Sequence, residues 1–120
     1  MIRKVNEQRK FNRSPGVDIQ VLSEPEEMYN SSRLYAKLII APGASIAFHR
    51  HIDEMESFYV VKGRCRVDDN DETGHIGVGD VMVVGANDCH AIYNDGDEVA
   101  EVIALIISCK QGVNGSSQVV

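Results

Sequence analysis

The sequence predicts an all-β domain built from short antiparallel strands. Eight short segments are rich in Val, Ile and Tyr, and clusters of Gly, Pro, Asn and Asp separate them. The 120 residues suffice for one domain with one hydrophobic core. Many short strands at regular spacing are typical of a β-sandwich or a closed β-barrel. A single antiparallel β-domain over residues 1–120 is therefore expected.

The sequence predicts eight strands and one helical turn. The strands are Ile19–Leu22, Leu34–Ile40, Glu56–Val61, Arg64–Val67, Thr73–Ile76, Val81–Val84, His90–Asn94 and Val99–Ser108. The turn covers Glu24–Tyr29, with Ser23 as N-cap and Pro25 as first helical residue. We divide the domain into an N-terminal arm (residues 1–33), a barrel core (34–109) and a loose tail (110–120) rich in Gly and Ser.

Charge and composition disfavour a nucleic-acid-binding protein, a membrane protein and a disulfide-bonded protein. The formal net charge of −6 and the lack of a basic run speak against nucleic acid as a partner. The longest apolar run, Val102–Ile107, is too short to span a membrane, and residues 1–14 contain no apolar signal segment. The three cysteines are odd in number and lack CxxC spacing, which favours a cytoplasmic location. Cys65 and Cys109 are expected as small buried hydrophobes.

The positions of the histidines in the sequence indicate a metal-binding site. His49 and His51 are one residue apart, so in a strand both imidazoles point to the same face. Glu56 begins an apolar run, where a buried carboxylate needs a partner. His90 lies between a turn and another β-segment, whereas His75 fits no motif and is expected at the surface. Three imidazoles and one carboxylate suit a single first-row divalent ion, whether Fe, Mn, Ni, Zn or Cu, with coordination positions left open.

Glycines frame the first three of these residues at regular spacing. In chain order the block consists of Gly43, five residues, His49, one residue, His51, four residues, Glu56, six residues and Gly63. This block resembles the cupin family, whose pattern G(x)5HxH(x)3–4E(x)6G it matches at every fixed position. The resemblance is specific, because five residues agree in both type and spacing.

A second block around His90 resembles the family's other pattern, G(x)5PxG(x)2H(x)3N. It contains Gly79, Gly85, Asn87, His90 and Asn94. Gly85 stands where the family has Pro, and Asn87 stands where it has Gly. Asn tolerates the left-handed backbone conformation that Gly supplies there. The resemblance covers residues 43–94 directly, and the flanking strands fit it.

The resemblance implies a fold, a ligand set and a partner. The fold is an antiparallel jelly-roll β-barrel with a metal ion in its mouth. The metal ligands are His49, His51, Glu56 and His90. Such proteins are often homodimers that pair outer sheet faces or exchange N-terminal strands. The family includes dioxygenases, decarboxylases and isomerases, so a small-molecule substrate or ligand is expected.

Strand alternation predicts which side chains line the pocket. Residues two apart share a face, which gives an apolar lining of Ala47, Phe58, Val60 and Ile92, together with Asn94. Lys37 lies in an otherwise apolar strand and leaves two alternatives open. It points inward to bind an anionic ligand, or outward to protect a sheet edge. Arg50 alternates away from the ligands and is expected outside the pocket.

Two functions fit this sequence. The first is a metalloenzyme of dioxygenase, decarboxylase or isomerase type that acts on a small oxygenated organic molecule. Alternation places no carboxylate base or arginine beside the ligands. This favours metal-centred chemistry, and it disfavours oxalate-type chemistry unless Lys37 supplies the positive charge. The second is a module that binds or senses a metal or small molecule without turnover. Function belongs to the site rather than the fold, so the sequence leaves both open.

Overall fold

The computed structural model describes residues 1–109, apart from the side chains of Phe48 and His49. These residues form ten antiparallel strands. The strands are β1 (Lys10–Ser14), β2 (Val17–Ser23), β3 (Leu34–Ile40), β4 (Ser45–Arg50), β5 (Glu54–Lys62), β6 (Arg64–Asp69), β7 (Glu72–Gly77), β8 (Val81–Val84), β9 (Cys89–Tyr93) and β10 (Ala100–Ser108). The predicted all-β class is confirmed.

The strands form two sheets that face each other across the core. One sheet has the order β1-β2-β3-β10-β5-β8, and the other has the order β4-β9-β6-β7. Inner-face residues of β10 alternate with outer ones, so Ala100, Val102, Ala104 and Ile106 are buried. Both sheets contribute to one continuous apolar cluster, as expected for a single core.

Two strands were absent from the prediction. In β1 four of the five residues are exposed, so it has no apolar alternation and forms through pairing with β2. β4 follows the tight turn at Gly43 and pairs with β9. The strands over Leu34–Ile40 and Val81–Val84 begin and end at the predicted residues. The division of the chain into arm, core and tail stays a prediction, and the tail lies outside the described residues.

The predicted helical turn is a 3-10 helix over Pro25–Met28. Its N-cap is Glu24 rather than Ser23, and the Glu24 N–H donates to the Glu27 carboxylate at 2.7 Å. Pro25 is the first helical residue, as expected. A second 3-10 turn over Val5–Glu7 was not predicted. No helix among the described residues has the length and apolar character to cross a membrane.

Two turn residues have the backbone conformation that their positions require. Gly63 joins β5 to β6 with φ of +77°, and a Cβ there would lie 2.8 Å from the Val99 carbonyl oxygen. A side chain is therefore excluded by sterics as well as by φ. Asn87 has φ of 71°, which is the left-handed conformation expected for it.

The cysteines are free thiols with different exposure. Cys65 is buried, as predicted, and burial raises the pKa of its thiol to about 11. Cys109 is exposed, so the prediction that it is a buried hydrophobe is wrong. It follows the last residue of β10, where the strand has left the core.

Candidate metal centre

His51, Glu56 and His90 converge from both sheets. His51 comes directly after β4, Glu56 is the third residue of β5 and His90 is the second residue of β9. One potential ligand atom from each residue lies within 4.8 Å of the other two. Because β5 belongs to one sheet and β9 to the other, the cluster bridges the two sheets at one end of the domain.

Both imidazoles approach the same carboxylate oxygen. Oε1 of Glu56 lies 2.6 Å from Nε2 of His51 and 3.4 Å from Nε2 of His90. The two rings stack, with centroids 5.1 Å apart and planes at 15°. All three residues are buried. Two imidazole nitrogens and a carboxylate oxygen directed at one point form a donor set that a first-row divalent ion prefers.

The electrostatics of Glu56 favour a cation at this point. Burial raises the pKa of Glu56 to about 8. The positive charge of Arg33 opposes this rise, the charge of Glu54 adds to it, and Arg13 opposes it further. A buried carboxylate is costly unless a positive charge lies beside it, and a metal ion supplies such a charge at the shortest distance.

The outer side of His51 is held by a charged pair. Its Nδ1 lies 3.3 Å from Oε1 of Glu54 and 3.3 Å from Nη2 of Arg33. Arg33 also donates from Nε to Oε2 of Glu54 at 2.7 Å, and this hydrogen bond lowers the pKa of the Glu54 carboxyl. Glu54 can accept from Nδ1–H in the tautomer that leaves Nε2 free to bind a metal, whereas Arg33 can only donate to Nδ1 in the other tautomer.

Neighbouring groups fix the loops that carry the two histidines. The Asn87 N–H donates to the His51 carbonyl at 2.8 Å, and the Asp53 N–H donates to Oδ1 of Asn87 at 3.2 Å. These hydrogen bonds tie the segment after β4 to the segment before β9. Phe58 packs its ring edgewise against His90, with centroids 5.3 Å apart. The ring positions are therefore set by packing and by backbone hydrogen bonds.

A cavity of about 420 Å³ opens beside the cluster. It corresponds to about fourteen liquid waters at ~30 Å³ each, so it holds more than a hydrated ion. Its apolar wall consists of Ile19, Leu34, Leu38, Ile46, Ile52, Phe58 and Ile106. Its polar wall contains the three cluster residues with Glu54, Arg13, Arg33 and Arg50. The expected apolar pocket is present, with positive charges that were not expected.

The predicted lining residues divide into one that lines the cavity and four that do not. Phe58 lines it and is also a core residue. Val60 lies two residues after Phe58 in β5, and Ile92 lies two residues after His90 in β9. Both are completely buried in the core. Ala47 is exposed, because the inward residue of that part of β4 is Ile46. These placements correct the prediction for Val60, Ile92 and Ala47.

Asn94 was predicted to line the pocket, but its side chain instead forms hydrogen bonds within the fold. Its Nδ2 donates to the carbonyls of Ile40 and Glu98, both at 2.8 Å, and its Oδ1 accepts from the Gly96 N–H at 3.0 Å. The amide is buried and does not line the cavity. The family's closing Asn therefore joins the end of β9 to β3 here.

The structure places Lys37 outward, which is one of its two predicted orientations, and it places Arg50 against the prediction. Lys37 lies on the outer face of β3, with Nζ 3.0 Å from Oε1 of Glu101. Since β3 lies between β2 and β10, Lys37 neither faces the cavity nor protects an edge. Arg50 lines the cavity and donates from Nε to Sγ of Cys89 at 3.4 Å. The β4–β9 register shifts between Ile46 and His49, and this irregularity invalidates the simple alternation used for Arg50 and Ala47.

His49, the fourth predicted ligand, is described only in its backbone. Its Cα lies opposite that of His90 in the β4–β9 register. Its side chain lies outside the described part of the structure, so its role stays a prediction. His75 is away from the cluster and lies 2.9 Å from Oδ2 of Asp95 through Nε2, as expected of a surface residue.

Three charged residues of the cavity were missed, in addition to Arg50: Arg13, Arg33 and Glu54. Glu54 carried a usable signal, because it lies two residues before Glu56 in the same strand and so shares its face. Arg33 precedes β3 by one residue, where alternation gives no guidance. Arg13 lies in a strand that the sequence did not predict.

Comparison with known proteins identifies the family. The family model for the Cupin domain matches residues 36–106, which is more than half of the chain. The chain belongs to the cupin family. This cupin is 34% identical over 91 residues to the oxalate-binding protein of Thermotoga maritima, covering 76% of this chain and 75% of that protein. It is 32% identical over 92 residues to the polyketide synthase CurC of Streptomyces cyaneus, covering 77% of this chain but only 60% of that protein.

Solved structures agree on the fold. A crystal structure described as a predicted oxalate decarboxylase from Thermotoga maritima superposes with a TM-score of 0.81 at 30% identity, covering 90% of this cupin and 99% of that chain. The structure of KdgF from Halomonas sp. gives a TM-score of 0.74 at 19% identity, covering 93% and 96%. The second likeness concerns the fold alone.

Proposed function

We propose that this cupin binds one divalent metal ion and acts on a small oxygenated organic molecule beside it. The ligands are His51, Glu56 and His90, with His49 as the fourth from the sequence pattern. The observation that carries the proposal is the approach of two Nε2 atoms to one buried carboxylate oxygen of Glu56. This arrangement crowds three polar groups at a point where a cation would satisfy them all.

The metal would supply Lewis-acid or redox chemistry to a ligand in the adjacent cavity. Fe, Mn, Ni, Zn and Cu all accept this donor set. The chain's own residues would orient the ligands: Glu54 contacts Nδ1 of His51, and the apolar wall would exclude water from the bound molecule. Glu54 is a poor general base, because its ion pair with Arg33 lowers its pKa. Dioxygenase, decarboxylase and isomerase types remain the candidate reactions.

Elemental analysis tests the metal. The wild type is purified without a metal-binding tag beside His51→Ala, with His75→Ala as the control histidine. We expect about one divalent ion per chain in the wild type and in His75→Ala, and none in His51→Ala, because His75 lies outside the cluster. Wild-type protein that contains no metal and takes up none of the five ions would contradict the proposal.

A second candidate is a binding module without turnover. The relative from Thermotoga maritima is named an oxalate-binding protein, which favours this alternative. Metal-loaded protein is incubated with oxalate and with a panel of small hydroxy acids and sugars, and products are followed by NMR. Multiple turnovers that His51→Ala abolishes would support the enzyme. Binding of a panel member without product would support the module.

A homodimer is the proposed quaternary structure. Tyr59 and Val61 of β5 and Val81 and Val83 of β8 form an exposed apolar surface at the edge of the larger sheet. Two copies related by a twofold axis could pair this surface with itself, which is the commonest symmetry of homo-oligomers. Sedimentation of the wild type and of Val81→Glu should give a dimer and a monomer. A monomeric wild type would contradict this.

A cytoplasmic location is likewise proposed. Its support is the odd number of cysteines without CxxC spacing, which fits a reducing compartment better than a disulfide-forming one. Fractionation of the native host followed by immunoblotting tests it. Recovery of the protein outside the cytoplasmic fraction would contradict the proposal.

A further inference from the structure

Arg13 differs from the other two arginines of the cavity. Arg33 is bound to Glu54, and Arg50 donates to Cys89. Arg13 forms no ion pair with any side chain that the structure describes, although it lines the same cavity. A guanidinium at a cavity wall without an acidic partner is available to bind an anion that enters the cavity.

A β-bulge places Arg13 at the cavity. The β1–β2 register shifts between Asn12 and Ser14, so Arg13 is the additional residue of β1. Bulges bend an edge strand and redirect a side chain, and they occur often beside active sites. Here the bulge lies at an exposed residue, Arg13, that lines the same cavity as the inner-face residues Ile19 and Leu38. Because of this register shift, the direction of the Arg13 side chain does not follow from strict alternation along β1.

Arg13 shares the cavity with the three residues of the metal centre, His51, Glu56 and His90. The cavity therefore has the cluster at one place on its wall and an unneutralised positive charge at another. A ligand with one oxygen group at the metal and a second, anionic group at its other end would satisfy both.

We propose that Arg13 is a specificity residue that binds the distal carboxylate of a small dicarboxylate ligand. This inference rests on the proposed function, because the proximal carboxylate binds at the metal centre. The planar guanidinium matches a carboxylate through two parallel N–H···O hydrogen bonds, which a neutral amide end group cannot reproduce. The cavity of about 420 Å³ sets the size of the ligand and leaves room for several carbons between the two ends.

Isothermal titration calorimetry of the metal-loaded protein tests the inference. The probes are oxalate, malonate and succinate, each beside its monoamide, so that only the charge of one end group changes. The wild type should bind at least one dicarboxylate about 10- to 100-fold tighter than its monoamide, the range for a charge-assisted hydrogen bond. In Arg13→Gln this ratio should fall to within about two-fold. Arg13→Lys should retain part of it, since charge persists without the bidentate geometry.

Lys10→Gln is the matched control. It removes one positive charge from the same strand at an exposed position outside the cavity, so it should keep the wild-type ratio. Metal content is measured on every variant, which separates recognition from loss of the centre. A wild-type ratio in metal-loaded Arg13→Gln, or a metal-loaded wild type that binds none of the six probes, would overturn the inference and leave the proposed metal centre standing. A wild type that takes up no metal would overturn both.

Discussion

Two buried polar residues of opposite character connect β9, a strand of the smaller sheet, to the larger sheet. At its end, Asn94 directs its amide to backbone groups, with the carbonyl oxygens of Ile40 and Glu98 at 2.8 Å. Near its start, His90 meets Glu56 of β5 in a cluster of groups that can gain or lose protons. Asn94 is neutral, and its amide makes three hydrogen bonds, all with backbone groups. The cluster crowds two imidazoles around a single carboxylate oxygen.

The two sites teach different lessons about buried polarity. A neutral amide that donates both of its hydrogens to the backbone stabilises the fold and has no donor left for a ligand. A buried carboxylate beside two imidazoles costs stability unless a cation joins it. Two residues of the same sequence block, four positions apart, therefore differ: Asn94 serves the fold, and His90 lies in a cluster suited to a cation. Substitutions should separate these roles cleanly.

Glu56→Gln should have the largest effect, and on metal binding alone. Loss of an outer hydrogen-bond partner already costs 10- to 100-fold in affinity, so loss of a direct ligand should cost more than about 100-fold. The metal-free variant should unfold within about 1 kcal/mol of the metal-free wild type, because the amide is isosteric and need not bury a charge. Metal titration and urea unfolding at pH 7 measure both quantities. Unchanged metal affinity would remove Glu56 from the ligand set.

Asn94→Ala should show the reverse pattern. It leaves the buried Ile40 carbonyl and its neighbours without their donor, which should cost about 2–3 kcal/mol in the free energy of unfolding. Metal stoichiometry should not change. Asn12→Ala is the control, because Asn12 also donates to two backbone carbonyls but at an exposed position. Equal losses in the two variants would show that burial of Asn94 is not what matters.

Glu54→Gln should give an intermediate effect on metal affinity. Its carboxylate lies 3.3 Å from Nδ1 of His51, so its loss should weaken metal binding about 10- to 100-fold without removing the site. Glu101→Gln is a matched control, since Glu101 is comparably exposed and also paired with a cation, but on the outer face. Competition with a chelating indicator measures both. A similar small change in both variants would count against a positioning role for Glu54.

Lys37→Met should have the smallest effect. The Lys37–Glu101 ion pair lies on the outer face of the larger sheet, where such pairs contribute about 1 kcal/mol or less. Urea unfolding should therefore change little, and metal and ligand affinities should equal those of the wild type. Ligand binding that falls only for anions in this variant would restore the inward placement that the structure contradicts.

The sequence predicted the strands that alternate, and its motif named the three residues that the structure brings together, His51, Glu56 and His90. β3 and β8 were predicted to the residue, because their Val, Ile and Leu content is high and turns bound them. The fold class followed from the same pattern. β1 escaped prediction because four of its five residues are polar and its structure depends on pairing with β2. Its polar sequence resembles that of a loop.

The cavity lining was predictable only where alternation holds. Phe58 follows Glu56 in a regular strand and was placed correctly. Ala47 and Arg50 lie on both sides of a register shift, which no local pattern reveals. Lys37 was ambiguous because the same apolar strand can present either face until its neighbours are known. The three arginines come from separate parts of the chain, so only the tertiary structure brings them together.

The bridging position of the cluster has a mechanical consequence. His90 and Asn94 lie four residues apart in sequence, or about 13 Å at ~3.3 Å per residue, and each fastens β9 to the opposite sheet. The hydrogen bonds of the Asn94 amide are part of the fold, whereas an ion between Glu56 and His90 would bind reversibly. Because β9 is paired with β4 on one side and with β6 on the other, a bound ion would act as a second brace between the two sheets beside the cavity, in addition to the one at Asn94.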